Sequence, residues 1–408
     1  MQESSGQASG GVSEIFGDAP WIHEDQMRSW ALILGSISLL GVVGLVATSD
    51  GTLDIGGRPL GTDFVCFWTA ARLALQEGAA AVYDSDVHAA MQNRVFGVPV
   101  DYVAFFYPPI FIAALLPLGW LTYTAALGVW LTLTGAAWVA TIRHYLHDSA
   151  PTWGILVFPA VLVNTGHGQT GFLTGALLGG GMALVERSPL LGGALLGALA
   201  YKPHLLVVAP LYLLLTRQLR ALGALVGTAA ALAALSVAVL GEAPWRAFFS
   251  MSRLAVATLE SGHLGYQKMV SVFAAARLLG ADVGLAYGAH ALVSLAALAT
   301  LFTVGRRLRG PLGAALVATL ALFPSPYALD YDLCLAGIPV AILLTEGLRG
   351  GFLRYEKLIL LVSFVMPMLA RPVATSTGVG LAPIVLGALL WAIVRRGLAA
   401  DAAPRSGA

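Results

Sequence analysis

Charge is what this chain has least of. Asp, Glu, Lys and Arg make up 11% of its 408 residues, against 58% hydrophobic, whereas a soluble domain carries roughly 25% charged residues to solvate its surface. That shortage excludes a soluble globular enzyme. Cysteine is nearly absent as well. Cys66 and Cys334 lie far apart in apolar surroundings and read as small buried hydrophobes rather than a disulfide. The net charge of +1 supplies no field for a nucleic acid, so no nucleic-acid partner is expected. Lysine occurs only at 202, 268 and 357, among many arginines and alanines, a bias that points to a GC-rich bacterial genome. Residues 1–29 are polar, with no short apolar core before a cleavage site. They read as a disordered cytoplasmic tail rather than a signal peptide, and 397–408 as a second cytoplasmic tail.

Long apolar runs fill the rest. Stretches such as 30–48, 221–240 and 285–304 are nearly free of charge and long enough to cross a hydrocarbon layer of ~30 Å. The expected fold is all-α, a polytopic membrane bundle of about twelve spans over residues 30–396. The spans fall near 30–48, 121–144, 152–165, 168–186, 190–202, 203–216, 219–240, 284–305, 311–324, 331–348, 357–370 and 379–396. Clusters of Arg and Lys around 217–220, 306–309, 349–357 and 395–396 fall on alternate connections, which places those connections and both termini in the cytoplasm. The opposite, outer side then receives 50–108, 166–169, 201–204, 241–282 and 323–332. Residues 109–121 are apolar but too short to span, and read as a re-entrant or interfacial helix. No internal repeat is visible.

The unusual polar residues gather in the outside-facing segments. In the first outside loop, 49–108, Thr62 or Asp63 can cap a helix that places Phe64, Phe67, Trp68, Ala71 and Leu75 on one side and that Gly78 can end. Such an aromatic face suits an amphipathic interfacial helix in the headgroup layer. A second short helix is expected over 85–96. Asp63 itself has two readings, helix cap or catalytic base, and local sequence favours the cap. Lys202, in Tyr201-Lys-Pro-His204, is a cation at the end of an apolar segment on the outer side, against the positive-inside trend, and marks a functional site. His204 can hydrogen-bond a phosphate or satisfy a buried carbonyl. Phe323-Pro-Ser-Pro-Tyr-Ala-Leu-Asp-Tyr-Asp332 brings Tyr327, Asp330 and Asp332 to another outer helix end. Two carboxylates are a weak metal signal, since hard cations take six or more oxygens, and sugar hydroxyls match a Tyr/Asp set better. No metal ligand is assigned and no cofactor is expected, a divalent cation staying open. The Asn164-Thr-Gly-His-Gly-Gln169 turn adds amide and imidazole groups on the same side.

In order and spacing these motifs resemble a known family. Asp63-Phe64 with Ala70-Ala71 and Gly78, Val82-Tyr83-Asp84, Tyr107-Pro108-Pro109, Pro117-Leu118, Gly168-Gln169, Lys202-Pro203 and Tyr327 with Asp330-Tyr331-Asp332 are similar to glycosyltransferase family 87 over most of 60–340. The resemblance implies a membrane enzyme of the GT-C fold that takes a hexose, in this family mannose, from a polyprenyl-phosphate donor. It implies Asp63 as the catalytic base and Lys202 as a donor-phosphate ligand; the residues around them add His204 at that phosphate and Gln169, Tyr327, Asp330 and Asp332 toward sugar or acceptor. The implied partners are that donor, a lipid or glycan acceptor and membrane lipids, at the outer face of a bacterial plasma membrane. The chemistry agrees: attack by an acceptor hydroxyl needs a base on the hydroxyl and cationic stabilisation of the departing phosphate. The competing reading is a transporter or flippase for a lipid-linked saccharide, whose polar residues would line a path through the membrane.

Overall fold

A computed structural model of the chain describes residues 16–22, 24–148 and 153–402. Most of the expected N-terminal tail, the end of the C-terminal one and the start of the expected 152–165 span lie outside the described residues. Among the described residues every regular element is helical, and β pairing is limited to two isolated bridges, Leu53 with Pro59 and Met269 with Leu329. Six helices of the described residues are long and apolar enough to cross a membrane: Tyr123–Tyr145, Leu219–Leu240, Val283–Val304, Asp330–Gly350, Glu356–Thr377 and Ala382–Ala399. Shorter apolar helices, Leu32–Ala47, Phe64–Gln76, Pro109–Trp120, Gly171–Leu184, Pro189–Tyr201, Pro203–Leu215 and Gly310–Leu320, pack among and beside them. Proline opens several: Pro109, Pro159, Pro189 and Pro203 each stand in the first turn, where a missing N–H costs nothing.

Apolar side chains point to lipid on the outside of the bundle, so close packing between helices relies on small residues. The Pro189–Ala198 helix carries Gly193 and Gly197, one turn apart, against Leu219–Leu240. A Cβ at Gly197 would stand 2.4 Å from the Leu225 carbonyl oxygen, and one at Gly193 2.1 Å from that of Ala221. Backbone cannot swing aside as a side chain can. Gly197→Leu is therefore expected to separate the two helices and destabilise the protein by about 1–3 kcal/mol or more, read as a lower thermal midpoint in detergent. An unchanged midpoint would mean that these helices do not meet here.

The first loop departs from its expected role. The Phe64–Gln76 helix forms, Glu77 and the left-handed Gly78 (φ +95°) follow it, and Ser85–Phe96 forms with Asp84 as its cap, accepting from the N–H groups of Asp86 and Val87. However, Phe64, Phe67, Trp68 and Ala71 do not face outward toward lipid. They are buried in protein: the Phe67 ring centroid sits 5.2 Å from that of Phe111 and 5.3 Å from that of Tyr107, and the Phe64 centroid 5.7 Å from that of Tyr123. The aromatic face is satisfied by partners more than thirty residues away, which helical periodicity cannot reveal. Leu75, at the end of that face, stays exposed. The 109–121 segment is a short helix, Pro109–Leu115, followed by a 3-10 turn to Trp120, with Phe111, Ile112 and Leu115 buried against neighbouring helices. Cys66 and Cys334 are free and buried, as expected.

Candidate active site

Asp63 stands at the N-cap position of Phe64–Gln76, yet its carboxylate makes no capping bond. The side chain turns instead toward the 164–170 turn. Gln169 Nε2 donates to Oδ2 at 3.2 Å, Thr62 Oγ1 donates to Oδ1 at 3.3 Å, and His167 Nδ1 lies 3.6 Å from Oδ1. The backbone is tied the same way, with the Asp63 N–H donating to the His167 carbonyl at 3.0 Å. Gly168 makes this approach possible. It closes the Pro159–His167 helix in the left-handed region (φ +63°), and a Cβ there would stand 2.6 Å from Cβ of Phe64. The expectation that Asp63 serves as a cap is thus corrected: the carboxylate is spent on side chains that assemble only in the folded protein.

The orientation of Gln169 follows from its neighbours. Its Oε1 accepts from the Tyr107 hydroxyl at 3.1 Å and from the Thr170 N–H at 3.0 Å, so its NH2 must face Asp63. Burial pushes the Asp63 carboxyl up, but the contacts from His167 and Gln169 and the charge of Lys268 outweigh it and hold the group below its ordinary 3.8. Asp63 is therefore ionised at neutral pH. Its side chain remains 27% exposed, so a hydroxyl can reach it.

Asp330 and Asp332 join the same assembly by separate routes. Arg371, near the end of the Glu356–Thr377 helix, donates from Nε to Asp330 Oδ2 at 2.8 Å, while its Nη2 lies 2.9 Å from His167 Nε2. The other oxygen of Asp330, Oδ1, is buried and has no partner. Lys202 is 4% exposed and Asp332 fully buried. Lys202 Nζ lies 2.5 Å from Asp332 Oδ1, donates to Thr170 Oγ1 at 3.3 Å and rests 5.0 Å above the Tyr331 ring. The structure sets Lys202, a candidate donor-phosphate ligand, against a buried carboxylate that already matches its charge. His204 follows Lys202 on the next helix but makes no bond to the network, and its Nε2 is buried without a partner. Tyr327 stands apart, packed with Leu259, Met269 and Phe273 in a small satellite cluster.

Asp63, Gln169, Lys202, Asp330 and Asp332 are therefore gathered into one network, through His167, Arg371 and Thr170. Arg371 is the residue that sequence reading missed. The signal is present in the sequence: Arg371-Pro372 follows an apolar run at the same expected outer side as Lys202-Pro203, one residue beyond the expected 357–370 span. Lys268 was passed over too. The Met269–Leu329 bridge, with the Val270 N–H donating to the Ala328 carbonyl at 2.9 Å, fastens its turn to the segment carrying Asp330.

The network is closed in by apolar helices. The model of glycosyltransferase family 87 matches residues 105–326, more than half of the chain, and the protein belongs to that family of membrane glycosyltransferases. The matched region includes Tyr107, His167, Gln169, Thr170, Lys202 and Lys268; Asp63, Asp330, Asp332 and Arg371 lie outside it. Neither the curated proteins nor the solved structures yield a match.

Proposed function

We propose that the enzyme transfers a hexose, by family resemblance mannose, from a polyprenyl-phosphate donor to a hydroxyl of a lipid or glycan acceptor, with inversion and with Asp63 as general base. The observation that carries this reading is the setting of the Asp63 carboxylate: freed from capping, half-buried and held by hydrogen-bond donors on both oxygens. The acceptor O–H gives its proton to Asp63 as its oxygen bonds to the anomeric carbon. The bond from that carbon to the phosphate oxygen breaks, and its electron pair leaves with the polyprenyl phosphate. One displacement needs one base, so a second carboxylate acting as nucleophile is not required.

The departing phosphate gains charge and needs a cation. With Lys202 bound to Asp332, the partly exposed Arg371, held on Asp330 and His167, and the exposed Lys268, whose charge acts on Asp63, are the candidate cations. The unpartnered Oδ1 of Asp330 is suited to accept a sugar hydroxyl. We place this site at the outer face of a bacterial plasma membrane, in a GT-C bundle of about twelve crossings in which the shorter helices complete the six long ones.

The transporter reading is disfavoured by the opposite end of the bundle. There Arg396 is paired with Glu356, which lies fifteen residues before Arg371 on one helix, a separation of about 22 Å. Leu360, Met366, Pro367 and Ala370 on that helix, and Ile338, Ala341, Ile342 and Leu343 on its neighbour, fill the interval with buried apolar side chains, Ser363 being the single buried polar one among these residues of the helix. The test is incubation of the purified protein with radiolabelled polyprenyl-phosphate sugars and membrane lipids. A glycosylated product is expected from the mannosyl donor. Labelling only from nucleotide sugars, or none from any donor, would overturn the assignment.

A further inference from the structure

The contacts beside Asp63 run in one direction. A guanidinium can only donate, so the Arg371 Nη2 contact at 2.9 Å requires His167 Nε2 to accept. A neutral imidazole with Nε2 as acceptor carries its proton on Nδ1. That nitrogen stands 2.7 Å from Thr62 Oγ1 and donates to it; the hydroxyl, having accepted, turns its own proton to Asp63 Oδ1 at 3.3 Å. Asp330 fixes the far end by binding the guanidinium through Nε and Nη2. Each member has one consistent role while Asp63 accepts on both oxygens, as a carboxylate does.

Resting on the reading of Asp63 as the base, we propose that His167 and Thr62 are positioning residues that aim its carboxylate, with Arg371 on Asp330 setting the imidazole tautomer. Neither needs to touch the substrate. Thr62 has the more informative side chain, because valine copies its shape and serine keeps its hydroxyl. No part of this chain of donors is recoverable from sequence spacing: Thr62 and His167 are separated by 105 residues, and His167 and Arg371 by 204.

The test is steady-state kinetics on the full-length protein in detergent or nanodiscs. Thr62→Val is expected to lower kcat about tenfold with the donor KM nearly unchanged, and His167→Ala about tenfold to a hundredfold, both less than removal of the base itself. Thr62→Ser should restore most of the turnover. In an Asp63→Asn background, His167→Ala should cost nothing further, because a residue that acts only through Asp63 has nothing left to aim. Three results would overturn the proposal: Thr62→Val with wild-type kcat, Thr62→Val and Thr62→Ser equally slow, or His167→Ala costing the same factor in both backgrounds. If Asp63→Asn is too slow to measure, the Thr62 pair decides alone. Wild-type turnover by Asp63→Asn would instead remove the base assignment, a failure distinct from these.

Discussion

Asp63→Asn is expected to lose about 10²–10⁴-fold in turnover, the usual worth of a general base, while the protein stays folded and still binds its lipid-linked donor. The substitution is close to isosteric, and Gln169 can still donate to the amide oxygen left at that position. An amide cannot take the acceptor's proton. The loss should therefore fall on kcat, because proton removal belongs to the transition state and not to donor binding. The carboxylate makes no capping bond, so the Phe64–Gln76 helix has no cap to lose, and the thermal midpoint should move little. Wild-type turnover would exclude Asp63 as the base and make Asp330, with its unpartnered oxygen, the next candidate.

Lys202→Met should be the most destabilising of the site substitutions. It leaves Asp332, which has no exposed surface, without its cation in the protein interior. Breaking a buried ion pair on one side costs about 3–5 kcal/mol, a large share of a typical folding free energy of about 5–15 kcal/mol. Lys202→Met with Asp332→Asn should recover most of that stability, since the neutral amide keeps an oxygen for the Leu329 N–H, which Asp332 Oδ2 accepts at 3.1 Å, and no charge remains to be matched. Thermal unfolding of the single and double variants checks this. A single variant as stable as the wild type would mean that the pair is solvated. The donor KM of the double variant then separates two roles for Lys202. A normal KM leaves it as the anchor of the 330–336 turn, and a raised KM returns it to the donor phosphate.

Several features of this protein are already settled by residue identity and order. Too few charges to solvate a surface force a membrane bundle, and alternating Arg clusters suggest its orientation. Proline and glycine at segment ends mark many of the helix limits, as at Pro109, Pro189 and Gly97, because their backbone constraints act locally. Unexpected polar residues in apolar sequence marked Lys202, Gln169, Asp330 and Asp332, since such groups are costly where they stand and need a reason.

Partner choice was decided by tertiary structure. Lys202 reads from sequence as a free cation and becomes one half of a pair only because the fold brings Asp332, 130 residues away, to its ammonium. Asp63 reads as a cap because capping is local, and is drawn off by His167 and Gln169 across the close Gly168–Phe64 contact. The aromatic face of Phe64–Gln76 likewise reads as lipid-facing, since periodicity specifies that a face is apolar but not what covers it. Arg371 has no role until Asp330 and His167 meet it. Hydrogen bonds and ion pairs act over about 3 Å, so which groups share that distance is fixed by how helices remote in sequence pack, and no local pattern encodes it.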